Sequence, residues 1–285
     1  MRSSRASTGA WIGSSADARS VITTRRTVVV ITGAAGGIGA ALARRYAAGD
    51  ARVALLDRDA AAAETVAAEL RSGGGDAAAY ACDVTAIDDC SRAIDAVVAA
   101  WGGVDVLVNN AGLTQIGLFR DTDVTVIRRV MEVNFFGAVN CTKVALASLI
   151  ARRGQIVVIS SMAGQAPLPL RTGYAASKHA LHGFFESLRV EHAADGLGVT
   201  MVCPTYVRTG IGKAALGGHG QPAGNESRAG VRGEISAETA AEAIHRGASE
   251  RKRLVLVPAQ ARLAYFVARF APALYERILR RQVLG

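Results

Sequence analysis

The sequence predicts an α/β fold, a doubly wound parallel sheet in a single domain, and three observations carry that reading. From Thr27 to about Pro258, short β-branched runs alternate with longer Ala-rich stretches. The runs are apolar throughout, as strands covered on both faces are, rather than alternately apolar and polar. Half of the 285 residues are hydrophobic but only 5% are aromatic. Small aliphatic side chains must therefore form the core, which suits close packing of helices on a sheet.

The first strand is expected over 27–32 (TVVVIT) and the second over 52–56 (RVALL). Further strands are expected over 76–82, 104–109, 155–160, 199–203 and 254–257. Helical stretches fall between them, near 38–48, 60–72, 86–101, 122–151, 173–195 and 237–249. Strand and helix in alternation imply right-handed crossovers, which wind a parallel sheet outward in both directions as in a Rossmann fold. Residues 205–235 break the rhythm, because Gly217, Gly218, Gly220, Pro222, Gly224, Gly230 and Gly233 oppose any regular element. So long a loop in a compact domain is expected to be a functional lid or a mobile segment.

The two ends differ in kind from the middle. Residues 1–26 hold five Arg and one Asp, a charge of +4, without the continuous apolar run of a secretory signal. They read as a disordered basic extension; a transit peptide fits less well. Residues 251–285 hold eight basic residues against Glu276, a charge of +7. Removing both ends from the total of +9 leaves about −2 for residues 27–250. The basic character belongs to the ends, so a basic globular face for nucleic acid is not supported. No apolar run approaches the ~20 residues that span a bilayer. Within 259–285, Leu263, Phe266, Val267 and Phe270 recur at helical spacing, Pro272 interrupts, and Leu274 and Ile278 resume the stripe. Arg262, Arg269, Arg277, Arg280 and Arg281 accompany it. Such a tail packs its stripe on the body or on a partner subunit, the preferred expectation, or lies on an anionic membrane surface.

In a doubly wound sheet, ligands bind beyond the carboxyl ends of the strands, so the residues just past each strand are the ones that bear on function. After the first strand comes Thr32-Gly33-Ala34-Ala35-Gly36-Gly37-Ile38-Gly39. Glycines there let backbone N–H groups approach a pyrophosphate at a helix N-terminus. In a chain with 31 glycines such a cluster is often only a packing turn; its place between a strand and a helix gives it weight. Asp57 closes the second strand, where a carboxylate can accept from the adenosine ribose hydroxyls and repel a 2′-phosphate. NAD is therefore the expected cofactor, with NADP the alternative if Arg58 turns inward. Asp83-Val84 comes after the third strand and Asn109-Asn110-Ala111-Gly112 at the end of the fourth. Asp and Asn cap strands ordinarily, but at successive strand ends they look like the floor of an adenine and ribose site.

Four scattered cysteines and five histidines make no C-x-x-C or H-E-x-x-H pattern. No metal is expected, and the thiols read as reduced ones in a cytoplasmic protein. The fifth strand ends in Ser160-Ser161, and thirteen residues after Ser161 stands Tyr174, then Lys178. On a helix, i and i+4 put phenol and ammonium on one face. A nearby ammonium is expected to pull the tyrosine pKa down from about 10, toward proton exchange with an alcohol or ketone oxygen. Such a pair alone is commonplace on helices. Its weight comes from the upstream serine and from the glycine loop on the same sheet edge.

With these residues in this order, the sequence resembles the short-chain dehydrogenase/reductase family over roughly 27–258. The resemblance rests on T-G-x-x-x-G-I-G at 32–39, Asp83, N-N-A-G at 109–112, Asn134 after Val133, Ser161, and Tyr174 with Lys178. It implies Tyr174 as acid/base, with Lys178 as its tuner and a ribose contact. It implies Ser161 holding the substrate oxygen and Asn134 maintaining a water-linked proton relay to Lys178. The cofactor is expected on Gly33, Gly37, Ile38, Gly39, Asp57, Asp83, Val84, Asn110, Gly112, Tyr174 and Lys178. Val207 and Thr209 match the stretch expected to meet the nicotinamide carboxamide. One departure is visible: the family usually has Pro-Gly after the sixth strand, and Pro204-Thr205 here removes backbone freedom beside the nicotinamide.

The activity so implied is hydride transfer between a nicotinamide cofactor and a small-molecule secondary alcohol or ketone, in a homo-oligomer. Leu113, Ile116, Leu118, Leu168 and Leu170 suggest an apolar substrate, lipid-, steroid- or acyl-like, although loop packing accounts for them as well. Two other functions share the fold. A sugar-nucleotide epimerase or dehydratase usually needs a larger C-terminal domain than the some 80 residues after the sixth strand. A non-catalytic cofactor-binding regulatory module has no use for an intact Ser, Tyr and Lys set.

Overall fold

The structure, a computed structural model, describes residues 25–212, 214–223, 234–259 and 261–283. Nine strands lie in these residues. Seven are long: β1 (Val28–Thr32), β2 (Arg52–Asp57), β3 (Asp76–Ala81), β4 (Val106–Asn109), β5 (Gln155–Ile159), β6 (Gly198–Pro204) and β9 (Leu254–Val257). They form one parallel sheet in the order β3-β2-β1-β4-β5-β6-β9. The winding reverses between β1 and β4, and that crevice is where a doubly wound sheet takes its ligand.

Helices α1 (Gly37–Ala47), α2 (Ala60–Ser72), α3 (Ile87–Trp101), α4 (Val124–Met131), α5 (Gly137–Ala151), α6 (Thr172–Glu191) and α7 (Ala237–Ser249) cover both faces. Alternate residues of a strand point to opposite faces. Val29 and Ile31 of β1 pack with α1, α2 and α7, while Val28 and Val30 pack with α3, α5 and α6. All four are fully buried. That two-sided burial is why the strands are apolar at every position.

The helix expected over 122–151 starts at Val124 and runs unbroken to Ala151, but through one π turn, Glu132–Phe136. This 28-residue helix, which contains an 18-residue stretch of mean hydropathy 1.4, is long and apolar enough to cross a membrane by length and composition, which counting apolar runs did not anticipate. Its Cys141, Ala145 and Leu149 are fully buried against the sheet, as in a core helix.

Three expectations about the edges are corrected. Arg25 reaches both oxygens of Asp105, at 2.8 and 2.7 Å, and Arg26 reaches Asp50 at 3.1 Å. Those two residues belong to the body; residues 1–24 of the expected extension lie outside the described residues. The 205–235 segment carries two short strands, β7 (Val207–Arg208) and β8 (Ile235–Ser236), paired in parallel; residues 213 and 224–233 lie outside the described residues. The tail forms α8 (Ala261–Phe270) and α9 (Pro272–Val283), interrupted at Ala271 as Pro272 suggests. Ala261, Ala264 and Tyr265 face inward beside Met162 and Cys203. The predicted stripe faces out instead: Leu263 is 73% exposed and Phe270 76%. Packing on the body is therefore not what that stripe does.

Candidate active site

The loop after β1 turns on glycines that nothing else replaces. Gly33 has a φ of +65°, and a Cβ on it would sit 2.8 Å from the Ala111 backbone. A Cβ on Gly39 would collide with the Gly33 carbonyl. Bare backbone at the start of α1 leaves N–H groups free to face an anion. Gly37 and Ile38 open the helix, and Thr209 lies against Gly37, within 3.1 Å of where a Cβ would be. The residue expected at the nicotinamide end is thus brought to the pyrophosphate loop.

Polar side chains clamp this cradle. Thr32 Oγ accepts from the Asn110 and Ala111 N–H groups, each at 3.0 Å. The Asn110 amide donates to the carbonyls of Thr32 and Gly33, at 2.9 and 3.0 Å. Asn110 thereby ties the glycine loop to the end of β4, a framing role rather than a side-chain contact to a ligand. Asp57 accepts from the N–H groups of Ala35 and Asp59, both at 3.0 Å. Asp59 caps α2 by accepting from Ala62 N–H at 3.0 Å. Beyond β3, Asp83 accepts twice from Thr85, at 2.9 and 2.8 Å. Those bonds hold its carboxyl below the ordinary value, helped by the charge of Arg58. Val84 is buried, and its carbonyl accepts from Asn140 at 3.0 Å.

Beyond β4 and β5 the side chains are chemical rather than steric. Lys178 is buried, and its Nζ donates to the Ile159 carbonyl at 2.8 Å. It also stands 5.7 Å from the centre of the Tyr174 ring, within cation–π range. Burial pulls the Lys178 pKa down to about 8. Tyr174 is pushed above its usual value, chiefly by burial, against a hydrogen bond from Ser161 and the charge of Arg171. The expected tuning is corrected here. Ser161 and Arg171 are the groups that favour the phenolate, and the Lys178 ammonium is spent on a carbonyl.

Asn134 is buried in the π turn. Its carboxamide accepts from Leu113 N–H at 2.8 Å and donates to Leu113 O at 3.0 Å and Ser177 Oγ at 2.9 Å. It thus locks the loop after β4 to α6. Gly112 closes the same corner, since a Cβ on it would lie 3.1 Å from Asn134 Oδ1 and 3.7 Å from Lys178 Nζ. Val207 buries its side chain in the core on the α7 side, leaving only its backbone to meet a ligand. Thr205, at the family's glycine position, is not among the residues with positive φ. Its N–H donates to Val257 O at 2.8 Å, so no glycine is needed there.

Sequence reasoning missed Gln115. It is fully buried, its Oε1 accepts the Tyr174 N–H at 2.8 Å, and its Nε2 has no partner. An orphan N–H in the first turn of a helix needs such an acceptor. Gln115 supplies it from 59 positions away, a separation that no local pattern reports. Arg171 was missed as well; it donates to Thr114 Oγ at 3.0 Å. The loops after β4, β5 and β6 meet. Ile116 N–H donates to Leu216 O at 2.8 Å, and Gly117 N–H to Leu170 O at 2.9 Å. Leu170 has a φ of +65°, a conformation that side chains rarely adopt and that clusters at functional loops.

The glycine cradle and the framed carboxylates fit a dinucleotide, and Ser161, Tyr174 and Lys178 fit proton exchange beside it. Known proteins agree with this geometry. The sequence pattern of the short chain dehydrogenase family matches residues 27–217. Dehydrogenase/reductase SDR family member 7B of Mus musculus is 35% identical over 261 residues, 90% of this chain and 80% of that one. 11-beta-hydroxysteroid dehydrogenase A of Sesamum indicum is 35% identical over 264 residues, 90% of this chain and 76% of that one. A short chain dehydrogenase/reductase from Burkholderia phymatum, solved in complex with NAD, superposes with a TM-score of 0.78 at 25% identity. That match covers 87% of this chain and 95% of the other.

Proposed function

This chain belongs to the short-chain dehydrogenase/reductase family and is a nicotinamide-dependent oxidoreductase of alcohols and ketones, and on that premise we propose that Tyr174 moves the proton. One observation carries the reading: Tyr174, half-buried, stands with the buried Ser161 and Lys178 at the carboxyl ends of the central strands. When bound, the nicotinamide gives or takes the hydride. Tyr174 gives or takes the proton at the substrate oxygen, and Ser161 holds that oxygen as its charge changes. Asn134 and Gln115 position the groups. Gly33, Gly37, Ile38, Gly39, Asp57, Asp83, Val84, Asn110, Gly112, Val207 and Thr209 would hold the dinucleotide.

NAD is the proposed cofactor, because a carboxylate at the end of β2, Asp57, would accept from ribose hydroxyls and repel a 2′-phosphate. Titrations with both nucleotides test it. NAD should bind more tightly, and Asp57→Ala should narrow the gap; tighter NADP binding by the unmodified protein would reverse the assignment. The proposed substrate is an apolar secondary alcohol or ketone, on the strength of Leu113, Ile116, Leu168 and Leu170 in the converging loops. A panel of alcohols of rising apolar size should show rising kcat/KM.

We place the chain in the cytoplasm, at the periphery of a membrane, as a homo-oligomer. The four described cysteines are free and buried, as suits a reducing compartment. Helix α5 carries Lys143 as its only charge, and Phe136 and Val190 stand exposed near and on α6. An apolar surface of that kind is normally covered by a second copy. Light scattering at micromolar concentration should give a dimer mass or more.

A further inference from the structure

The loops after β4 and β6 and the tail after β9 all leave from the carboxyl edge of the sheet, where the site lies. Among the described residues, thirteen large apolar side chains are exposed, and nine of them belong to those loops or to the tail. Exposed apolar surface is therefore concentrated in the segments that leave the edge of the sheet where the site lies. Helix α8 begins four residues after β9 ends and packs its inner face beside Met162, the neighbour of Ser161. Its outer face carries Leu263, Phe266 and Phe270, and α9 continues with Leu274 and Ile278.

Charge decides what covers this face. Residues 261–283 hold five Arg against Glu276, a charge of +4. All five are exposed, and among the described residues none is in an ion pair. A two-fold contact would set this surface against itself, with arginines facing arginines. An anionic lipid surface supplies the opposite charge evenly, while its acyl boundary takes the apolar side chains.

We infer that α8 and α9 dock the protein on an anionic membrane, with the mouth of the active site turned to the bilayer. The docking rests on the tail and the rim; only the benefit, access for an apolar substrate, rests on the function proposed above. The full chain should sediment with phosphatidylcholine vesicles containing about a third phosphatidylserine, and not with phosphatidylcholine alone. Raising salt from ~0.05 to ~0.5 M should release it. Changing Leu263, Phe266 and Phe270 together to Glu should lower the bound fraction at least tenfold, with the melting temperature and turnover kept. An environment-sensitive dye on Phe119→Cys, in the loop after β4, should shift to the blue with vesicles. The same dye on Ser72→Cys, at the opposite edge of the sheet, should not. No sedimentation at low salt overturns the docking. A fall in molecular mass in the triple variant overturns it too, by giving the face to a second copy. Equal shifts from both dyes overturn the orientation.

Discussion

The two halves of the site are built by opposite means. On the nucleotide side, beyond β1 to β3, the design is an absence: glycines at 33 and 39 where any side chain would strike backbone. On the substrate side, beyond β4 to β6, it is a presence: Gln115, Asn134 and Lys178, polar groups held in burial by bonds to distant backbone, with Ser161 buried among them. One half fails when something is added, the other when something is taken away. Binding and turnover should therefore separate cleanly under mutation.

The largest effect expected on nucleotide binding comes from adding one methyl group. Gly39→Ala forces the Gly33 carbonyl aside and disturbs the loop that faces the pyrophosphate. Nucleotide affinity should fall ~100-fold, about 2.7 kcal/mol, in a protein whose circular dichroism is unchanged. Unaltered affinity would mean that this loop does not hold the cofactor. A smaller effect comes from a removal on the other side. Gln115→Ala leaves the buried Tyr174 N–H without its acceptor, a loss of about 1–3 kcal/mol. The value of kcat should fall ~tenfold, with nucleotide affinity kept. A loss confined to nucleotide affinity would move Gln115 to the other half.

A third effect concerns stability and has a definite sign. Burial lowers the Lys178 pKa to about 8 in the folded protein, against about 10.4 in an unfolded chain. Between those values the unfolded state binds more protons, so this group adds stability as pH rises through that window. Below pH 8 the cost of burying the ammonium is present in full. The melting temperature of Lys178→Met minus that of the wild type should therefore fall between pH 8 and pH 10. A difference that stays flat with pH would mean that Lys178 is not carrying a buried charge.

The same contrast explains what could be read in the sequence. Strand positions were legible to within a residue or two, because two-sided burial writes itself as uninterrupted Val, Ile, Leu and Ala. The glycine loop was legible because its residues adjoin. The π turn around Asn134 was not: a single inserted residue leaves the apolar period of the helix almost intact. Gln115 and Arg171 escaped because their partners lie 59 and 57 positions away. The direction of Lys178 escaped for another reason. Helical spacing put it on the face of Tyr174, but the Ile159 carbonyl, on a different strand, decides where its ammonium goes. In the tail the period was right and the buried face was wrong, since small residues, Ala261 and Ala264, pack inward while the large ones stand out.

The most direct test of the whole account is Tyr174→Phe, assayed for nucleotide binding and for turnover in the same preparation. Removing one hydroxyl from the substrate side leaves the glycine cradle untouched. NAD should bind within about twofold of the wild type, while kcat falls by ~10³ or more because the proton has lost its carrier. A variant that keeps more than a tenth of wild-type turnover would take Tyr174 out of the mechanism, and one that loses both properties together would contradict the division of the site into two halves.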